Sequence, residues 1–298
     1  MITTTTRYHS IKRRKITMTV VYHVLVAAAS LAMLYPLFWM LSSSFKPNNE
    51  IFTTVGSLIP QTFTTENYVN GWRGFAGLSF GVYFRNSLIV AGLSTIGAAL
   101  SAALVAFGLA RLHFPGRNFW FVCMIVTMML PGQVMMIPRF VLFNQLGWVG
   151  TFLPLTVPAS FGSAFDIFLV MQFIRGIPRD MDEAARIDGA NNWQTLWKIT
   201  IPNMMSSFTI CIFLTLTNGF KLFDQNLALT GGRPFLQQPD GSVIKTTEML
   251  ALNIYSAFYS GGGNNRGVGQ AKAVVFFILV AAIGLLQLQA TRKKEVQQ

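Results

Sequence analysis

Between Glu183 and Pro202 the chain reads EAARIDGANNWQTLWKITIP, a charged stretch set between two segments apolar enough to cross a bilayer. Its residue types suit recognition of a protein partner more than bond-making. Glu183 offers a carboxylate near a helix start, and Ala184 and Ala185 are small enough for that helix to approach a groove. Asp188 ends the helix, Gly189 permits a reversal, and Trp193 supplies a large apolar contact. A second group is polar but sits in apolar surroundings: Asp166, and then Asn218, Lys221, Asp224 and Gln225 near helical spacing. An ionised group near the bilayer centre costs about 2.5–3.5 kcal/mol on insertion scales, so such residues line a cavity or meet a partner. A helix end already in water is the alternative, and Lys221 can pair with Asp224 three residues on. The third group is the tip SGGGNNRGVGQ, where Gly262 and Gly263 free the backbone and Asn264, Asn265 and Arg266 offer hydrogen-bond donors; a flexible linker fits the same residues.

No catalytic constellation accompanies these groups. His9, His23 and His113 share no ligand spacing, and Cys123 and Cys211 lie inside apolar runs, which reads as core packing without a disulfide framework or metal site. No GxxxxGK[ST] loop occurs, so the chain is expected to bind no ATP of its own and to be no enzyme.

The elements that must position these residues are helices. Arg175, Gly176 and Pro178 close one apolar segment, and Asp180 followed by Glu183 has the spacing of a capping box for a short helix over 181–188. Asn191 with Gln194 repeats that spacing, and Trp193, Leu196 and Trp197 at i, i+3 and i+4 give a second short helix one apolar stripe, ended by Pro202. A solvated linker with its stripe laid on its own domain has the same pattern.

Composition places all of this in a membrane. The chain has 298 residues, 52% of them apolar and only 11% charged, with a net charge of +12. The basic residues sit at the ends of apolar runs and form no single stripe, which argues against nucleic acid. Six segments are long enough to span, at about 19–41, 83–110, 119–140, 152–174, 204–229 and 273–290. The first is too long for a signal-peptide core and reads as a retained span. Lys and Arg gather in the N-terminal tail, at Arg111 and Arg117, around the 176–202 loop and in the C-terminal tail. The positive-inside rule makes these parts cytoplasmic, with connections 42–82 and 230–272 outside. Gly92, Ser94, Gly97, Ala98, Ala99, Ser101 and Ala102 form a small-residue face on the second span, suited to close helix approach. Pro131, Gly132, Pro154 and Pro158 predict kinked or interrupted helices, from a pathway or from packing alone. The absence of a repeat linking the two halves, with little intramembrane charge, disfavours an ion-coupled secondary transporter.

The spacing EAA, three residues, Gly189, nine residues, Ile199, one residue, Ile201, Pro202 resembles the EAA signature of the membrane subunits of ABC-type importers, with Ile201 where that pattern has Leu. Over nearly its full length the chain is similar to the smaller membrane subunit of maltose-type carbohydrate permeases. YPLFWMLSSSFKPNNEIF (Tyr35 to Phe52), NSLIVAG (Asn86 to Gly92) and FKLFDQNLALTGGRP (Phe220 to Pro234) carry that likeness, the last being more often met in the larger subunit. The resemblance implies an all-α polytopic membrane protein of type I importer permease fold, a single domain over 1–298 with six transmembrane helices and both termini cytoplasmic. It also implies a bacterial cytoplasmic membrane location, a second permease subunit, two ATPase subunits that hold ATP and magnesium, an extracytoplasmic solute-binding protein and a carbohydrate cargo. Residues 176–202 would be the ATPase-coupling loop, Asp166, Asn218, Lys221, Asp224 and Gln225 the substrate path, and Gly262 to Arg266 the binding-protein contact. The same machinery carrying glycerol phosphate or a peptide is the nearest alternative.

Overall fold

Apolar runs without water to bond their backbone fold as helices, and the computed structural model is helical almost throughout the residues it describes, 3–74, 78–237, 243–259 and 265–292. Helix α1 (Thr3–Ser43) carries a 29-residue apolar stretch from Lys15 whose most apolar window has no cover from the rest of the chain. Two short helices follow, α2 (Glu50–Thr53) and α3 (Glu66–Arg73). Helix α4 (Phe80–Arg111), capped by Ser79 accepting from the Gly81 N–H, has 32 residues. At about 1.5 Å per residue it is about 48 Å long, more than a bilayer core.

The expected third span is broken. It forms α5 (Arg117–Met128) and α6 (Met136–Gln145), separated by a stretch containing Pro131 and Gly132. The fourth is also in two pieces, α7 (Leu153–Ser160) and α8 (Ala164–Gly176), divided at Gly162, whose φ is +81°. Beyond it come α9 (Arg179–Ile187), α10 (Asn192–Thr195), one π-turn over 196–200, α11 (Ile201–Asn203) and α12 (Met205–Phe220). The 192–203 segment bends by 79° into α12. The fifth apolar segment therefore leaves the helix at Phe220, nine residues before its expected end, and a second π-turn covers Asn226–Thr230.

The last connection holds a small antiparallel hairpin of β1 (Phe235–Gln237) and β2 (Val243–Lys245), then α13 (Leu250–Tyr259). Helix α14 (Arg266–Arg292) begins seven residues earlier than expected, so 266–272 are helix and not loop. Four described helical stretches are long and apolar enough to cross, or five with the bent pair. Six continuous spans are not seen among the described residues, and the third expected segment is the one that falls short, where a proline lacking an N–H and a glycine leave α5 only 12 residues long.

Helix α4 is the central post. Its Arg111 half packs with α8 and α12 in one apolar cluster (Ala106, Phe107, Val170, Met171, Ile174, Phe208), and its Phe80 half joins Phe220 and Leu250 in another. The small-residue face works at Gly97, where a Cβ would lie 2.7 Å from the Ser160 Cα of α7, and at buried Ala98 and Ala102; Gly92 faces open space. Gly219 of α12 is equally constrained, since its Cβ would come within 2.9 Å of the Ala91 Cα.

Candidate functional site

The 176–202 loop hangs from the Arg111 end of α4. The Arg111 Nη2 donates to the Ile177 carbonyl at 2.7 Å, and its Nε lies 2.9 Å from Asp182 Oδ2. Both side chains are largely enclosed, at 8% and 14% exposure, so the pair is little screened by water. One guanidinium therefore grips both sides of Pro178. From the sequence Arg111 is only an orientation mark and Asp182 has no role; a cation at a span end facing a nearby acidic loop is the signal that could have linked them.

Three expectations for the loop change. The Asp180–Glu183 capping box does not form, because α9 starts at Arg179 behind Pro178 with no side-chain cap. Asp180 and Asp182 instead lie in the first turn, where the helix dipole favours carboxylates. Ala185 is buried at 5% exposure against its own chain, leaving Ala184 as the small outward residue beside exposed Glu183. The tryptophan stripe divides: Leu196 enters the core, while Trp193 (58% exposed) and Trp197 meet edge to face at 5.6 Å on the surface. The intervening π-turn widens the helix there, so the three side chains do not share one buried face. Other local readings hold. The Asn191 N–H donates to Gln194 Oε1 at 2.9 Å and the Gln194 N–H to Asn191 Oδ1 at 2.8 Å, a complete capping box. Gly189 has φ +82° with no atom near its missing Cβ, so the turn demands left-handed backbone and not space. Asp188 caps α9 and is exposed.

The polar groups of the middle of the molecule are only partly gathered. Asp166 and Gln225 line a cavity of about 290 Å³ together with Ser163, Thr215 and Arg139. Asp166 is buried in the first turn of α8; Ser163 Oγ donates to its Oδ2 at 2.7 Å and accepts from its backbone N–H at 3.1 Å, and Thr215 Oγ1 stands 3.5 Å away. The helix break at Gly162 is what creates this N-terminus and its favourable field for a carboxylate. Asn218, Lys221 and Asp224 are exposed and line no part of that cavity, and among the described residues Lys221 and Asp224 form no ion pair. Ending α12 at Phe220 turns the latter two away from helical register. Arg139 is the member that sequence reasoning missed, although a cation at the edge of an apolar segment was the visible sign.

Gly262, Gly263 and Asn264 lie outside the described residues. At the Phe80 end of α4, Asn265 immediately precedes α14, and Arg266, its first residue, sits over the Phe52 ring at 4.6 Å. Beneath them is a buried polar network. Asn86 Nδ2 donates to the Thr246 and Glu248 carbonyls at 3.0 Å each, and the Leu250 N–H to Ser87 Oγ at 3.0 Å. Asn226, wholly buried, donates to the Thr247 carbonyl and to Thr230 Oγ1 and accepts from the Met249 N–H.

Residues 96–292 match the family described as binding-protein-dependent transport system inner membrane component. The chain is 31% identical to the arabinooligosaccharides transport system permease protein AraQ of Bacillus subtilis, over 87% of each chain. It is 34% identical to the diacetylchitobiose uptake system permease protein NgcG of Streptomyces coelicolor, over 67% of this chain and 66% of that one. Among solved structures, a chain of a bacterial ABC transporter involved in import of the acidic polysaccharide alginate superposes with a TM-score of 0.74 at 20% identity, covering 92% of this chain and 96% of that one.

Proposed function

The chain belongs to the binding-protein-dependent transport system inner membrane components, multi-pass permeases of the bacterial inner membrane that share the type I importer fold, and from that premise we propose that it is one of two unlike permease subunits importing an oligosaccharide by alternating access. Its 176–202 loop is the cytoplasmic seat of a separate ATPase, on which ATP and magnesium act, and a solute-binding protein delivers cargo at the opposite face. The carbohydrate part of the reading is supported by the uptake systems to which AraQ and NgcG belong.

The observation that carries the coupling reading is the geometry of that loop. Met181, Ile187, Trp193 and Trp197 present exposed apolar surface on elements too short to be stable alone, which suits docking in a groove. Behind them the Arg111–Asp182 pair and the Leu196 contact join the loop to the apolar cluster of α4, α8 and α12. A push on α9 would therefore move those helices as a body, and the breaks at Gly162 and before α12 are places where the backbone can absorb the change. In the cavity, Asp166, Thr215, Gln225 and Arg139 offer donors and acceptors suited to sugar hydroxyls.

The test is reconstitution in liposomes with the second permease, the ATPase and the binding protein. ATP-dependent uptake of arabino-, chito- or malto-oligosaccharides, with ATP hydrolysis stimulated by the loaded binding protein, is the expected result. Assembly of the complex with hydrolysis indifferent to the loaded binding protein would overturn it.

A further inference from the structure

At the Phe80 end of α4 the first connection, α13 and the start of α14 enclose a cavity of about 810 Å³, within the size range of small-molecule sites and sharing no lining residue with the one that holds Asp166. Its lining is polar: Asn70 and Arg73 stand at the rim, and Glu248, Asn253, Ser256 and Lys272 lie deeper. Glu248 is fully engaged. Its Oε1 accepts from Ser256 Oγ at 2.9 Å with Lys245 Nζ at 3.5 Å, and its Oε2 accepts from Asn253 Nδ2 at 3.3 Å.

Lys272 is different. The residue is 7% exposed; its ammonium donates to Asn253 Oδ1 at 2.8 Å, faces the rings of Phe80 and Tyr83 at 5.5 and 6.0 Å, and is attracted by the Glu248 carboxylate that Asn253 also bonds. An ammonium carries three donors, and a buried cation with one acceptor among the described residues calls for another. Charge points the same way. Lys245, Lys272 and Arg73 outnumber Glu248 and Glu66 around the cavity, so it holds one positive charge in excess. Amides, a hydroxyl and cations with few large apolar side chains do not suit a lipid; they suit a ligand dense in oxygen acceptors.

We propose that this cavity is a saccharide-binding site separate from the Asp166 cavity, and that its ligand carries a carboxylate which lies between Lys272 and Arg73. The inference rests on the carbohydrate reading above and narrows the cargo class to acidic sugars.

The experiment uses the full transporter complex in nanodiscs, with Ala257→Cys as a reporter on the cavity wall and its rate of maleimide modification read by mass spectrometry. Trigalacturonate should slow modification, and maltotriose at equal concentration should protect about tenfold more weakly, the worth of one charge-assisted contact. Lys272→Met should abolish the protection by trigalacturonate. Should that variant not assemble, Arg73→Gln at the rim should weaken it measurably. Equal protection by both sugars would overturn the carboxylate assignment. Protection by neither sugar would overturn the site, and protection by the binding protein alone would make the cavity a docking socket instead. Hydrolysis stimulated by the loaded binding protein, measured on the same preparation, separates these outcomes from a failure of the importer reading itself.

Discussion

The two ends of α4 hold their surroundings by different means. At the Arg111 end the 176–202 loop is shaped by near neighbours in sequence, Asn191 with Gln194 and the reversal at Gly189, and one ion pair fastens it to the post. At the Phe80 end the contacts reach across the chain: Asn86 meets Thr246 and Glu248 from 160 and 162 positions away, and Asn226 holds the backbone of Thr247 and Met249. The first end exposes tryptophans and an isoleucine; the second buries amides, a glutamate and a lysine. Local folding with an exposed apolar face suits the part proposed above to be gripped and moved by a partner. Long-range buried polar contacts build a part whose shape is specified, because each unpaired group there would be costly.

This contrast implies that equal losses of stability at the two ends have unequal functional signatures. Asp182→Lys should have the largest effect, since it sets a second cation against Arg111 in an enclosed place and costs about 4 kcal/mol. Thermal unfolding of the purified complex should fall and ATPase coupling should be lost, with the exchange Arg111→Asp plus Asp182→Arg recovering part of both. No recovery in the exchanged pair would mean that the contact is incidental.

Asn226→Ala should cost about 2–3 kcal/mol by stranding the Met249 N–H and the Thr247 carbonyl. Here the yield of complex should drop while hydrolysis per assembled complex, stimulated by the binding protein, stays normal. An uncoupled but well-folded variant would erase the difference between the ends.

Gly189→Val places a β-branched residue at φ +82° and should cost about 1–2 kcal/mol, confined to the turn between α9 and α10. Pairing with the second permease should be unchanged and ATPase stimulation lost; retained stimulation would make the loop a passive linker. Trp193→Ala is the mildest, with stability altered by less than about 0.5 kcal/mol because the ring is mostly exposed. ATPase binding to the membrane complex, measured by co-purification or light scattering, should nevertheless weaken about tenfold if the ring is a docking anchor.

What the sequence by itself determined are the features decided within a few residues. Asn191 and Gln194 cap one another across a single turn, Gly189 adopts the one backbone region open to it and closed to most others, and apolar runs become helices that fail where Pro131 and Gly132 interrupt them. Only the tertiary structure decided where polar groups find partners. The same spacing that suggested one line of path residues leaves Asn218 on the exposed side of α12, and Lys221 and Asp224 beyond its end at Phe220, while Arg139 from another helix lines the cavity of Asp166 instead. Lys272 read as loop is buried helix, and Asp182, unremarkable in its own segment, meets Arg111 from seventy-one positions away. The reason is physical: dihedral preference and capping act over a turn of chain, whereas the cost of burying a charge is met only by whichever group the fold brings beside it.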